Sequence, residues 1–269
     1  MRWLRSHLVL LLGILVLVYT FIPIFIVVMM SFNKLPNEQS KIYKFNSFTL
    51  DNWLHPCADP SMCDALRRSV EIGLLATIGA TILGTLAAFA LVRHDFFGRS
   101  TTNILIFLPM AAPEIVMGSS LLALFVSAGF AGQLGFWTIL IAHIMFCLSF
   151  VVVTVRSRLA GLSDTLEQAA ADLYATPNQT FWRVTFPLVL PGIAAAAMLS
   201  FSLSFDDFII TNLNAGTTTT FPIFVWSSAQ RQIPMQINVV GTVMFVIALL
   251  IVLGAEANRR RQERLLRAS

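Results

Sequence analysis

Charge is what this sequence has least of. Only 12% of its 269 residues are Asp, Glu, Lys or Arg, and 57% are hydrophobic, against about 25% and roughly 45–50% in soluble globular domains. So few charges cannot cover that much apolar surface in water, which excludes a soluble fold. Cysteine is scarce too, with three residues. Cys57 and Cys63 stand near His55 without a convincing fourth ligand, so no zinc site is expected. No Gly-x4-Gly-Lys-Ser/Thr sequence is present, and no Ser/His/Asp constellation or metal cluster. The chain therefore has no nucleotide site of its own and nothing that marks a membrane enzyme. Ten-residue segments of alternating apolar and polar residues, the mark of a membrane β-barrel, are missing as well.

What is present is apolar sequence in runs long enough to cross a bilayer, for which about 20 helical residues suffice. Five runs are uninterrupted: residues 8–30, 70–92, 134–155, 186–210 and 239–257. A sixth, at about 102–126, is broken by Pro109, Pro113 and Glu114. Each should be a helix, because a helix satisfies every backbone N–H and C=O within one segment. The expected fold is all-α: a polytopic membrane protein of about six transmembrane helices. Arg2 and Arg5 precede the first run as in a signal peptide. The run is too long for a signal core, and no small-residue cleavage site follows, so it should be retained as an anchor.

Basic residues orient the chain. With six spans, one side holds Arg2, Arg5, Arg93, Arg99, Arg156, Arg158, Arg183, Arg259, Arg260, Arg261, Arg264 and Arg267. The other holds Lys34, Lys41, Lys44, Arg67, Arg68 and Arg231. The richer side should be cytoplasmic, and both termini with it. The division that follows is an anchor helix and external segment over residues 1–67, a transmembrane domain over 68–257, and a basic cytoplasmic tail over 258–269. That tail, directly after a membrane helix, reads as an anchor near anionic lipid rather than a nucleic-acid site. In the external loop, Cys57 and Cys63 could form a disulfide in an oxidising compartment, or remain two thiols. Cys147, in mid-membrane, reads as a small apolar residue.

One cytoplasmic segment, at about 160–187, stands out from the short connections around it. It reads Leu162-Ser-Asp-Thr-Leu-Glu-Gln-Ala-Ala-Ala-Asp-Leu-Tyr-Ala-Thr-Pro-Asn-Gln-Thr-Phe-Trp-Arg-Val-Thr-Phe-Pro187. Ser163 or Asp164 can cap a helix with Glu167 in its first turn, where the macrodipole favours an acid. Thr176-Pro177 breaks that helix, and residues 178–184 can form a second. Two short helices at an angle make a docking knob.

This segment resembles the coupling loop of ABC importer permeases, whose pattern is Glu-Ala-Ala, a glycine shortly after, and a distal Leu-Pro. Ala169, Ala170, Asp172, Leu173, Ala175, Thr180, Arg183, Val184, Pro187 and Pro191 fit it. Gln168 stands where the family has its glutamate, with Glu167 one residue earlier, and Tyr174 stands where it has glycine. The tyrosine implies an altered docking geometry. Phe48-Thr-Leu-Asp-Asn-Trp53 and Leu108-Pro-Met-Ala-Ala-Pro-Glu-Ile-Val-Met117 are similar to segments of polyamine-type permeases. So is Leu199-Ser-Phe-Ser-Leu-Ser-Phe-Asp-Asp-Phe-Ile-Ile-Thr211, with Gly216 and Phe221-Pro-Ile-Phe-Val-Trp226 after it. The nearest likeness is to the second permease subunit of spermidine/putrescine importers. The resemblance implies a type I importer fold in the bacterial inner membrane. It also implies a second, different permease, two ATPase subunits and an extracytoplasmic solute-binding protein. ATP and Mg would be bound in the ATPase, with no cofactor on this chain.

Three acids connect that likeness to physics. A carboxylate at membrane depth costs about 2.5–3.5 kcal/mol on insertion scales, so it faces a cavity or a partner. Glu114 follows the proline break. Asp206 and Asp207 end the fifth run, and neighbouring side chains on a helix diverge by about 100°, so one of them, favourably Asp206, faces the solute path. Phe205, Phe208 and Trp226 could add cation–π attraction for the ammonium groups of a diamine or triamine. The alternatives are that the two aspartates cap the external helix end, and that Glu114 pairs with the partner permease. His143 reads as a hydrogen-bonded core residue. Competing functions are the same machine with a phosphonate, iron or sugar as solute, and an ion-coupled secondary transporter. The latter would need coupling-ion ligands and inverted repeats that the sequence does not show.

Overall fold

The computed structural model describes residues 2–34, 44–163, 165–231 and 234–268, with side chains except those of 2–7, 258 and 262–268. Among the described residues there is no β-strand, only an isolated bridge between Asn33 and Phe48. The chain forms two compact units, Met1–Cys63 together with Val225–Ser269, and Asp64–Phe224.

In the first unit, α1 (Arg2–Ser31) leads into a segment that folds back on its end, and the short α2 (Asp51–Leu54) lies within that segment. Asn52 Nδ2 donates to the carbonyls of Ser31 and Asn33 at 3.1 and 3.0 Å. Trp53 Nε1 donates to Ser31 Oγ at 3.2 Å. The Phe32 ring stacks with Phe48 and with Trp53, each at 5.4 Å. These contacts give the apolar and polar residues of segment 48–53 a local reason for their order. Beyond it, Cys57 and Cys63 are bridged, with Cα atoms 5.6 Å apart.

Helix α3 (Pro60–Arg93) starts ten residues before its apolar run, because proline suits a first turn and Asp59 Oδ1 accepts the N–H of Ser61 at 2.9 Å. The second unit continues with α4 (Arg99–Ala111), α5 (Glu114–Ser127) and α6 (Phe136–Ala160). Then come α7 (Thr165–Asp172), α8 (Pro177–Thr180), a π-helical turn (Phe181–Thr185), α9 (Phe186–Asp206) and α10 (Ile209–Asn214). Helix α11 (Phe221–Ala229) crosses the boundary back into the first unit. There α12 (Gln236–Ala268) packs on α1, with Phe21 and Phe245 edge to face at 6.4 Å. It runs on helically through the basic tail, where Arg259 and Arg260 both bond to Glu256.

Five helical spans are long and apolar enough to cross a membrane, or six if the bent pair α4–α5 counts as one. The pair turns by 111°. Pro109 is tolerated inside α4; the break falls at Ala112 and Pro113, which are extended with ψ of 140° and 134°. Helix α6 is the centre of its unit: 61% of its most apolar stretch is buried, against 28% for α3 and 22% for the α8–α9 span. Its Val151, Val152 and Val155 meet Ala80 and Ala88 of α3, Met117 and Leu121 of α5, and Val189 and Ala196 of α9 in one cluster. Small residues permit this closeness, as they do between membrane helices generally.

Candidate functional site

Glu114 is the first residue of α5, and Asp206 is the last of α9. Both are exposed. Glu114 sits where the unsatisfied N–H groups of a helix start favour an anion. The carboxylates of Glu114, Asp206 and Asp207 lie within electrostatic reach of one another. Among the described residues, neither Glu114 nor Asp206 has a cationic side chain paired with it. Phe205, half-buried, stacks on Phe201 at 5.8 Å and lies 6.3 Å from Phe221. Phe208 is half-buried as well. Trp226 is 57% exposed and belongs to the other unit.

Asp207 differs from its neighbour completely. Its backbone is extended (ψ 124°), which ends α9 four residues earlier than the apolar run would. Its side chain is 2% exposed and faces inward. One oxygen accepts the N–H of Thr211 at 2.7 Å and its hydroxyl at 2.8 Å; the other accepts the N–H of Ile210 at 3.4 Å. Those are the free amides of a helix start, so Asp207 caps α10. It does so buried, not in water. His143 of α6, equally buried, stands 3.4 Å from it. The two ring nitrogens of His143 also reach Ser204 Oγ at 2.7 Å and Thr211 Oγ1 at 2.9 Å. The imidazole thus ties α6, α9 and α10 together.

The far end of α10 is held too. Asn214 Nδ2 donates to the Gly118 carbonyl at 3.2 Å, and Thr138 Oγ1 donates to the Asn214 carbonyl at 2.8 Å. A Cβ on Gly118 would come within 2.8 Å of Leu213 and 3.2 Å of the Ile210 backbone, so glycine there lets α10 lie directly on α5. The acids are therefore displayed by a buried polar frame. Sequence reasoning placed His143 in the core but did not single out Ser204, Thr211 or Asn214. The available signal was Ser200 and Ser204, four apart and hence on one face of an apolar helix, in a chain whose mid-membrane histidine needed partners.

The second site is the segment from α7 to the π turn. Ser163 Oγ accepts the N–H of Thr165 at 3.3 Å; Asp164, the alternative cap, lies outside the described residues. Helix α7 closes with two bonds, from the Tyr174 N–H to the Ala171 carbonyl (2.9 Å) and from the Ala175 N–H to the Ala170 carbonyl (3.0 Å). This is a Schellman closure, whose crossing residue is left-handed and normally glycine. That residue is Tyr174, at φ +59°. The backbone turn is the one glycine would make, so the departure lies in the ring, which is 95% exposed beside Leu173 at 82%. Thr176 then opens α8 with a reciprocal pair of bonds to Gln179.

Gln168, Ala169, Asp172, Arg183 and Pro187 are exposed, and Ala170 is half-buried. Glu167 instead turns inward: its Oε1 accepts from Arg93 Nη2 at 2.6 Å and from Thr185 Oγ1 at 2.8 Å. Neither partner was singled out with it from sequence.

Residues 80–264 match the family described as binding-protein-dependent transport system inner membrane component. The chain is 35% identical over 242 residues to the spermidine/putrescine transport system permease protein PotC of Escherichia coli (strain K12), covering 88% of each. It is also 35% identical over 240 residues to the putrescine transport system permease protein PotI of the same organism, covering 86% of this chain and 84% of that one. In fold it is similar to a chain of a bacterial ABC transporter that imports the acidic polysaccharide alginate (TM-score 0.66, 18% identity, 96% of each chain). It is similar as well to a chain of the inward-facing MetNI methionine ABC transporter (TM-score 0.55, 16% identity, 76% and 98%). The helix order and these matches agree: the chain belongs to the family of inner membrane components of binding-protein-dependent transport systems, as a permease subunit and not itself an enzyme.

Proposed function

We propose that this permease forms half of a path for a polyamine or a related cationic organic solute, in an ATP-driven importer of the bacterial inner membrane. The carrying observation is that Glu114 and Asp206 are exposed in one unit, within electrostatic reach of each other, and, among the described residues, without a paired cation. An alkylammonium is the chemistry that such a pair lacks. The 35% identity to relatives named for spermidine and putrescine points the same way, whereas a phosphonate would be repelled by these carboxylates. Phe205 and Phe208 add aromatic faces for the cation, and Asp207 holds the frame.

The remaining parts follow from the class of machine. A second permease subunit supplies the other half of the path, an extracytoplasmic protein delivers the solute, and two ATPase subunits bind ATP and Mg. Residues 165–187 dock on the ATPase from the cytoplasmic side through Gln168, Ala169, Ala170, Leu173 and Tyr174.

The test is uptake of labelled putrescine and spermidine by the reconstituted transporter, with ATPase and binding protein present. A carboxylate–ammonium contact at 4 Å is worth up to about 4 kcal/mol at an effective dielectric of 20, and solvent exposure reduces it. Glu114→Gln and Asp206→Asn should each lower uptake about tenfold, equivalent to a net loss of about 1.4 kcal/mol, with assembly intact. Parental uptake in both variants would make the acids structural and remove the polyamine reading.

A further inference from the structure

Glu167 joins three elements at one oxygen. It lies in the first turn of α7, Arg93 in the last turn of α3, and Thr185 at the end of the π turn that opens α9. The ion pair is 2.6 Å long with side chains 26% and 32% exposed, and Thr185 is buried. Around it, Leu86, Phe89, Ala171 and Phe181 line an apolar hollow between α3 and the segment. Phe89 and Phe181 close it edge to face at 5.5 Å. Apolar surroundings strengthen a charge-assisted bond relative to one in water. A π-helical turn is rare and concentrates at functional places in helices, and here the Glu167 bond ends on it. Residue 168, one step along α7, is exposed on a different face.

We propose that the Arg93–Glu167–Thr185 contact is a strut through which a displacement of the α7–α8 segment is passed to α3 and α9. Glu167 is then a positioning residue internal to this chain, and it does not replace the acid missing at Gln168. The inference rests on the reading of that segment as the ATPase-docking knob. It adds which residues inside the permease receive the movement. Without the strut, only the apolar walls of that hollow would couple α7 to α3, and closure of the ATPase could move it with less movement of the spans.

The experiment uses the whole reconstituted importer and reads three quantities: ATPase co-purification, binding-protein-stimulated ATP hydrolysis, and solute taken up per ATP hydrolysed. Glu167→Ala and Arg93→Ala should retain the ATPase, with solute per ATP falling about threefold to tenfold, the range of energetic coupling effects. The exchange Arg93→Glu with Glu167→Arg should restore at least half of that loss. A merely structural role would lower assembly and leave the ratio of solute to ATP unchanged. Three results overturn the strut: a parental ratio in both single variants, no rescue by the exchange, or loss of the ATPase in Glu167→Ala but not in Arg93→Ala. The last would make Glu167 a docking contact. The docking reading has its own control, Ala170→Asp, which places a charge at the expected contact and should release the ATPase. If that variant keeps a fully coupled ATPase, docking lies elsewhere, whatever the strut variants show.

Discussion

Asp206 and Asp207 are chain neighbours with opposite surroundings. Asp206 ends α9 and is exposed; Asp207 lies in the break before α10 and is buried against His143 and Thr211. The difference follows from the helical rotation of about 100° between neighbours and from the break after Asp207, which lets α10 start beside its carboxylate. Neutralising them should therefore separate function from stability. Removing a buried acceptor's charge, or its imidazole partner, leaves donors poorly satisfied, at about 1–3 kcal/mol per group. Asp207→Asn and His143→Ala should lower the thermal midpoint of the purified complex in detergent, while Asp206→Asn should leave it near the parental value. Equal midpoints in all three would mean that the buried network does not hold α10. Reduced uptake with unchanged melting is expected only of Asp206→Asn and Glu114→Gln.

At the scale of elements, the long helices were legible because twenty apolar residues admit few other structures. The bend at Ala112–Pro113 was legible from proline chemistry, and the break at Thr176–Pro177 from a cap followed by proline. The split of the fifth run into α9 and α10 was not. It depends on Asp207 meeting His143, which is 64 positions away in the chain, and no local pattern encodes that meeting. The inward turn of Glu167 depends likewise on Arg93, from a different span. Tyr174 shows the middle case: the residue looked wrong for a glycine position, yet the turn is kept, with two closing bonds at φ +59°. A left-handed non-glycine residue carries roughly 1–2 kcal/mol of steric strain. Tyr174→Gly should relieve it, giving equal or higher binding-protein-stimulated ATP hydrolysis in the reconstituted importer. A marked fall would assign the exposed ring itself to the docking contact.

For the whole molecule, the bent pair α4–α5 decides how the chain lies across the bilayer. If it is one span, there are six crossings and both termini share a side with Arg93, Arg99 and the α7–α8 segment. Twelve of the 18 basic residues are then together. If it re-enters, there are five crossings. With the N-terminus outside, thirteen of the 18 lie in the cytoplasm, leaving Arg2, Arg5, Arg93, Arg99 and Arg231 outside. Charge alone thus supports both solutions about equally. The Arg93–Glu167 bond excludes the second, which would set Arg93 outside and Glu167 in the cytoplasm, and the disulfide separates them independently. Cys57–Cys63 ties the connection between α1 and α3 to the first turn of α3, at an end that faces the oxidising side only in the six-span arrangement, and reducing cytosol does not sustain such a bond. In a background with Cys57 and Cys63 changed to Ser, Ser47→Cys and Phe97→Cys provide the reading, both positions being exposed. A membrane-impermeant thiol reagent should label Ser47→Cys in intact spheroplasts, and Phe97→Cys only after permeabilisation. The reverse pattern would establish five spans and place the bridge on the reducing side, where it would not persist. Both arrangements keep the α7–α8 segment in the cytoplasm; the six-span result puts Arg93 there with it, as their bond requires, and makes the 111° bend of α4–α5 part of a complete crossing.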